Sequence, residues 1–193
     1  MPEWVPLGDR AIRFPRPAVP ARALVREIRT WPGVVDVVVA HEDVAAYFAG
    51  PPHVEAAWIA KLADLHELAE APREHTIAAR YTGEDLDAVA TATGLSRDDV
   101  IAIHSGATYT VETIGFAPGF AYLTGLDPRL HVPRRAPPRP RVPARSLAIA
   151  AQYTAVYPFD SPGGWHLIGS VDTEMFGIHG ALLQLGDRVR FET

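Results

Sequence analysis

The sequence predicts an α+β protein in two parts: a small α/β sandwich over residues 1–74 and a compact, mostly antiparallel β-barrel over residues 75–193. Three observations predict it. Helical periodicity is concentrated before residue 118. Strand-like runs separated by glycine and proline turns dominate from Ala107 onward. Nine of the 18 prolines lie between Pro118 and Pro162, where a helix would not tolerate them.

Taken in order, "AIRF" alternates like a short strand. "PARALVREIRTW" follows with Leu24, Val25, Ile28 and Trp31 on one helical face, and "WPG" ends it. "GVVDVVVA" reads as a buried strand and "DVAAYFA" as a second one. "HVEAAWIAKLADLHELAEAP" is the longest helix candidate, with Ile59, Leu62, Leu65 and Leu68 at helical spacing. Helices packed on one face of a small sheet follow from this order. A second unit begins at "HTIAARY". In it "GEDLDAVATATG" is a short helix closed by Gly94, and "SRDDVIAIHSG" is another, with Ser96 and Asp99 at capping-box spacing. The runs "ATYTVETIGF", "SLAIAAQYTAVYP", "WHLIGSV" and "DRVRFET" then supply the barrel. No internal repeat is apparent.

Composition bounds the function. The chain has 193 residues, 48% hydrophobic and 21% charged, which is globular and large enough for a sizeable core. A net charge of −5 gives no general attraction to nucleic acid. The absence of cysteine excludes disulfides, thiolate metal sites and cysteine nucleophiles. The start, "MPEWVPLGDRAIRF", has no charged-then-apolar leader pattern, and no apolar run approaches 18 residues, so a soluble cytoplasmic protein is expected.

Three stretches carry the candidate chemistry. "GFAPGFAYLTGLDP" combines glycines, prolines and aromatic residues in a way neither a strand nor a helix uses. "RLHVPRRAPPRPRVPAR" holds six arginines, five prolines and no acid. Guanidinium forks match carboxylates and phosphates, which makes the arm an anion-site candidate; a solvated polyproline-like surface arm is the alternative. No base-stacking aromatics interleave it, which argues against nucleic acid. "YPFDSPGGWHLIG" reads as a tight hairpin presenting Trp165. The proximity of Asp160, Ser161 and His166 is not a catalytic triad signature, because no nucleophile-elbow G-x-S-x-G is present. The eight histidines give no metal motif: His53, His66 and His75 are too far apart for an H-E-x-x-H pair, and His104 and His179 read as structural or surface residues. There is no Walker-type loop. The two glycine- and proline-shaped loops and the arginine arm are expected to line one groove at the barrel edge.

"IGFAPGFAYLTGLDPRLHVPRRAPPRPRVPARSLAIA", followed by "YPFDSPGGWHLIG", resembles the family of the 5-oxoprolinase B subunit (PxpB), also called allophanate hydrolase subunit 1, KipI and carboxyltransferase subdomains C and D. The likeness extends through "HTIAARYTGEDLDAVATATGLSRDDVIAIHSGATYTV" and "ALLQLGDRVRF", covering about residues 75 to 191, and more weakly through "LGDRAIRF". The resemblance implies an α/β N-terminal domain and a cyclophilin-like barrel. It implies a C-subunit partner carrying carboxyltransferase subdomains A and B, a separate A-subunit protein, and ATP used by the complex to open 5-oxoproline, a lactam amide, to glutamate. Two other activities occur under the same resemblance: a KipI-type inhibitor of a sensor histidine kinase, and a carboxyltransferase-type component of a urea or allophanate pathway.

Residue roles follow from the same likeness. Arg134 and Arg141 match the family's arginines and would clamp a carboxylate or phosphate. Gly115, Phe116, Pro118, Gly119, Phe120 and Tyr122 would shape the pocket wall, with Tyr157, Asp160, Ser161, Gly163, Gly164 and Trp165 on the opposing rim. No general base and no metal ligand is assigned. Where the family reads close to "AIAGGQTGIYP" this chain has "AIAAQYTAVYP", and Arg145 stands where the family has glycine; extra side chains there would fill space open to a ligand or partner.

Overall fold

A computed structural model describes residues 4–66 and 71–193, and the chain divides into two compact units, Met1–Ala71 and Pro72–Thr193. The first unit contains strands β1 (Val5–Pro6) and β2 (Ala11–Pro15), helix α1 (Ala21–Ile28), strands β3 (Val34–Val39) and β4 (Asp43–Phe48), and helix α2 (Ala56–Lys61). Its antiparallel sheet has the order β1-β2-β4-β3. α1 buries Leu24 and Ile28, and Trp31 beyond it stacks on Phe14 and Trp58 with ring centroids 6.2 and 5.7 Å apart.

Two expectations for this unit need correction. "GVVDVVVA" is a strand but not a buried one: Val37 and Val39 point inward while Val35 and Val38 are exposed. An apolar run on a one-sided sheet alternates regardless of what it is made of, because side chains leave a strand on opposite faces. Among the described residues of the long helix expected over 53–72, only α2 and one 3₁₀ turn, Leu62–Asp64, are helical, and Leu65 is extended. Ile59 and Leu62 are its buried anchors, and a helix without further packing does not propagate. Leu68 lies outside the described residues.

The second unit begins with β5 (Glu74–Arg80), followed by helices α3 (Leu86–Thr93) and α4 (Arg97–Ser105). Gly94 closes α3 with a left-handed φ of 71°, and Ser96 and Asp99 form the capping box of α4. The remaining strands are β6 (Tyr109–Ile114), β7 (Ala121–Thr124), β8 (Arg139–Val142), β9 (Ser146–Ala150), β10 (Tyr153–Val156), β11 (Ser161–Gly163), β12 (His166–Val171), β13 (Phe176–Gly177), β14 (Gly180–Ala181) and β15 (Arg188–Glu192). Seven of the strands of this unit close a barrel in the order β10-β7-β6-β15-β5-β12-β9, with only the β5–β15 pair parallel. The protein is therefore α+β with a mostly antiparallel barrel, as the sequence predicts. "SLAIAAQYTAVYP" is two strands, β9 and β10, folded back at Ala151, whose φ is 49°.

The barrel has two apolar clusters. The larger includes Ile77, Leu86, Val100, Tyr109, Leu123, Leu147, Ile168 and Phe191. The smaller gathers Phe120, Val142, Tyr157, Trp165 and Leu167. Within the larger one, His104 is fully buried; its Nδ1 is 2.7 Å from Tyr81 Oη and its Nε2 2.9 Å from Thr154 Oγ1. Burial lowers its pKa from 6.5 to about 3, so the ring is neutral in the folded protein.

Between those two pH values the unfolded chain binds a proton at this residue and the folded chain does not. Stability should therefore be complete above about pH 6.5 and fall as pH is lowered toward about 3. Denaturant titrations across this range should show His104→Gln with a shallower pH dependence than the parent; equal slopes would remove His104 as the source.

Candidate functional site

The turn joining β6 to β7 builds one wall. Gly115 donates its N–H to the Phe120 carbonyl at 3.1 Å, and Phe120 donates to Ala117 at 3.0 Å. Phe116 stands in the turn with φ 69°, a strained value for a bulky residue, and Gly119 has φ 78°. Pro118 and Gly119 thus shape the turn, while Phe116 and Phe120 project their rings. Phe120 is the hub: its centroid lies 5.2 Å from Phe116, 5.0 Å from Tyr122, 5.2 Å from Tyr157 and 5.6 Å from Trp165, all edge-to-face.

These rings, with Arg134, Gly163 and Gly164, line an open cavity of about 100 Å³. Tyr157 Oη accepts the backbone N–H of Trp165. Burial raises the pKa of both Tyr122 and Tyr157 against the opposing pull of the Arg134 charge, so both phenols stay protonated. Among the described residues no carboxylate pairs with Arg134. The side chains of the lining thus offer one guanidinium and two phenol donors and include no carboxylate.

The expected residues separate into groups. Phe116, Phe120, Tyr122, Arg134, Tyr157, Gly163, Gly164 and Trp165 come together around the cavity. Arg141 and Asp160 do not: they pair with each other at the surface, Arg141 Nε reaching Asp160 Oδ2 at 2.8 Å, while the Ala144 N–H donates to Asp160 Oδ1. Ser161 lies on β11, its Oγ buried without a partner. "YPFDSPGGW" is no local hairpin, because β11 pairs with β8 and β12 pairs with β9 and β5. Trp165 is buried in the cavity wall, not displayed from a tip.

The arginine arm is mostly neutralised. Arg129 pairs with Asp127; Arg135 and Arg139 converge on Asp85 at 2.6 and 2.7 Å, and Arg139 also reaches Glu84 at 2.7 Å. Asp85 was not singled out by its sequence. It is 3% exposed and also accepts the Leu167 N–H at 2.7 Å. Burial pushes its carboxyl up, but the Arg139 hydrogen bond, the Leu167 N–H and the two guanidinium charges outweigh that and hold it below the usual carboxylate range. Nothing local in "GEDLDAV" signals a partner 50 residues away.

Among the described residues no three His, Asp or Glu side chains could hold a metal, and no helix is long and apolar enough to cross a membrane. A family profile described as "Carboxyltransferase domain, subdomain C and D" matches residues 6–182. The chain belongs to this carboxyltransferase-domain family. Over 112 residues it is 48% identical to the B subunit of 5-oxoprolinase from Haemophilus influenzae, covering 56% of this chain and 53% of that protein. The Bacillus subtilis protein of the same name is 45% identical over 112 residues, covering 56% of this chain and 47% of the relative. The chain thus spans about half the length of the curated relatives it matches. A crystal structure of a conserved uncharacterized protein from Pyrococcus horikoshii is similar over 98% of this chain and 96% of that one, with 29% identity and a TM-score of 0.59.

Gly163 is a sharp test of the cavity wall in this family member. A Cβ there would stand 2.2 Å from Tyr157 Oη, so the phenol must leave its place beneath Trp165. Gly163→Ala should cost about 1–3 kcal/mol in denaturant titration. Combining it with Tyr157→Phe should recover part of that loss; an additive double variant would show that the hydroxyl is not the obstacle.

Proposed function

We propose that this chain is a non-autonomous subunit of an ATP-dependent, 5-oxoprolinase-like amide hydrolase, and that its aromatic cavity receives the small lactam acid. The observation that carries this is Arg134 at the cavity, with no carboxylate partner among the described residues, beside two protonated phenols and away from any lining carboxylate. Such a site favours an acceptor-rich anion: a carboxylate on Arg134, with phenols oriented toward a carbonyl oxygen on which negative charge develops when the amide is attacked. An aromatic cage for a cation is disfavoured by the guanidinium itself. The names of the relatives support the reaction class.

Drug-sized ligands fill pockets of roughly 300–1,000 Å³. A cavity of about 100 Å³ matches the size of a five-membered ring with one carboxylate. ATP use belongs in this reading to the assembled complex, with a C-subunit homologue bearing carboxyltransferase subdomains A and B, together with an A-subunit homologue, in the cytoplasm.

The test is glutamate release from 5-oxoproline and ATP by the reconstituted complex, omitting each chain in turn. Activity should require this chain. Arg134→Ala should lower kcat/KM about ten- to hundred-fold, chiefly through KM, as expected for loss of a charged hydrogen bond. Arg134→Lys should recover part of it, and Arg141→Ala should stay within about two-fold of the parent. Activity indifferent to Arg134 would remove the cavity from the reaction.

A further inference from the structure

Arg134 carries the proposed chemistry, yet no side chain of the described residues grips its guanidinium. Its placement comes from its neighbours. On one side, His166 Nε2 donates to the Pro133 carbonyl at 2.9 Å. On the other, the Arg135 N–H donates to the Gly164 carbonyl at 2.7 Å, and the Arg135 side chain reaches Asp85 at 2.6 Å. Further along, Arg139 opens β8 and binds the same carboxylate oxygen at 2.7 Å. The second oxygen of Asp85 takes the Leu167 N–H on β12, two residues past Trp165. One buried carboxylate thereby ties the arm on which Arg134 stands to the strand that follows the cavity's Trp165.

The location of Asp85 is itself enforced. The chain leaves β5 and passes flat over β12: the Gly83 N–H donates to Ile168 and the Asp85 N–H to Leu167 at 2.9 Å. A Cβ on Gly83 would stand 2.2 Å from the Leu167 carbonyl, so only glycine permits the approach. Although Asp85 immediately precedes α3, its side chain makes no capping bond to that helix and is spent wholly on the arm and β12.

We propose that Asp85 is a positioning residue for the ligand site: through Arg135 and Arg139 it fixes segment 134–139 so that the Arg134 guanidinium stands at the mouth of the aromatic cavity. This rests on the reading of the cavity as the site of a small carboxylate. Asp85 touches no ligand; its effect passes entirely through Arg134. A salt bridge that merely stabilises the barrel would act the same with or without Arg134, whereas a positioning residue acts only when Arg134 is present.

The experiment is a double-mutant cycle on the full chain, with calorimetric binding of 5-oxoproline and of cyclopentanecarboxylate as the probe. Asp85→Asn should weaken binding about ten-fold in the parent and change it less than two-fold in the Arg134→Gln background. Circular dichroism checks that each variant is folded. If Asp85→Asn does not fold, Arg135→Gln, which leaves Arg139 and the Leu167 N–H on Asp85, should show the same non-additivity on a smaller scale. Equal losses in both backgrounds, or no loss in either, overturn the positioning role while leaving the site intact. Failure of the parent to bind either acid, or binding that ignores Arg134→Gln, overturns the site reading and the positioning role with it.

Discussion

The architecture of the barrel's open end depends on one buried charge. A carboxylate removed from water costs several kcal/mol unless its lone pairs are met by well-placed donors. Asp85 has three: two guanidiniums and a backbone N–H. Two of the donors come from the arm and the third from β12, and each must be in place for the charge to be tolerated. The proline-rich arm has few backbone donors of its own, so this anchor adds to the β8–β11 pairing and the Arg135 N–H in holding a segment whose composition suggests an extended surface arm. With it, Arg135 and Arg139 are structural and Arg134, between Pro133 and Arg135, is left over with its charge unspent.

That division explains which parts of the molecule were legible in the sequence. Local signals read well. The capping box at Ser96 and Asp99, the glycine stop at Gly94, and the strand-like runs "WHLIGSV" and "DRVRFET" each depend on residues within a few positions of one another. The two glycine- and proline-shaped loops that carry the cavity's aromatic and glycine residues are also legible from composition, while the roles of the individual residues rest on the family likeness. The partners of the arginines were not legible. Six arginines in 17 positions look equivalent as a string, and only tertiary contacts spanning 19 to 54 residues in sequence sort them into Arg141 on Asp160, Arg135 and Arg139 on Asp85, and Arg134 on nothing. The missed turns have the same origin. β11 pairs with β8 across 19 residues, so "DSPGGW" closes on the arm and not on itself.

Backbone strain is concentrated around the same end. The three non-glycine residues with positive φ among those described are Phe116, Arg145 and Ala151. Phe116 lines the cavity; Ala151 turns β9 into β10 and donates its N–H to Val132, two residues before Arg134; Arg145 donates its N–H to the carbonyl of Tyr157, a cavity residue. Left-handed conformations cost L-residues roughly 1–2 kcal/mol each, and they persist where the surrounding bonds over-determine them. At Arg145 and Ala151 the family likeness has glycine, which adopts this conformation without the penalty. The turn geometry is thus kept at both positions even though the residue best suited to it is absent.

The added side chains of the "AAQYTA" segment bear directly on the cavity. Tyr153, in that segment, packs edge-on against Tyr122 with centroids 5.6 Å apart and donates its hydroxyl to Glu112 at 2.8 Å. The acid nearest to the aromatic wall in this network is thereby already engaged by a phenol, and Glu112 is not among the lining residues. Tyr122, which lines the cavity, is thus backed by a second ring. The result is a wall that is stiff, apolar and supplied with donors only, facing a guanidinium that a remote carboxylate holds in place by its neighbours. A ligand that completes this arrangement has to bring the negative charge itself.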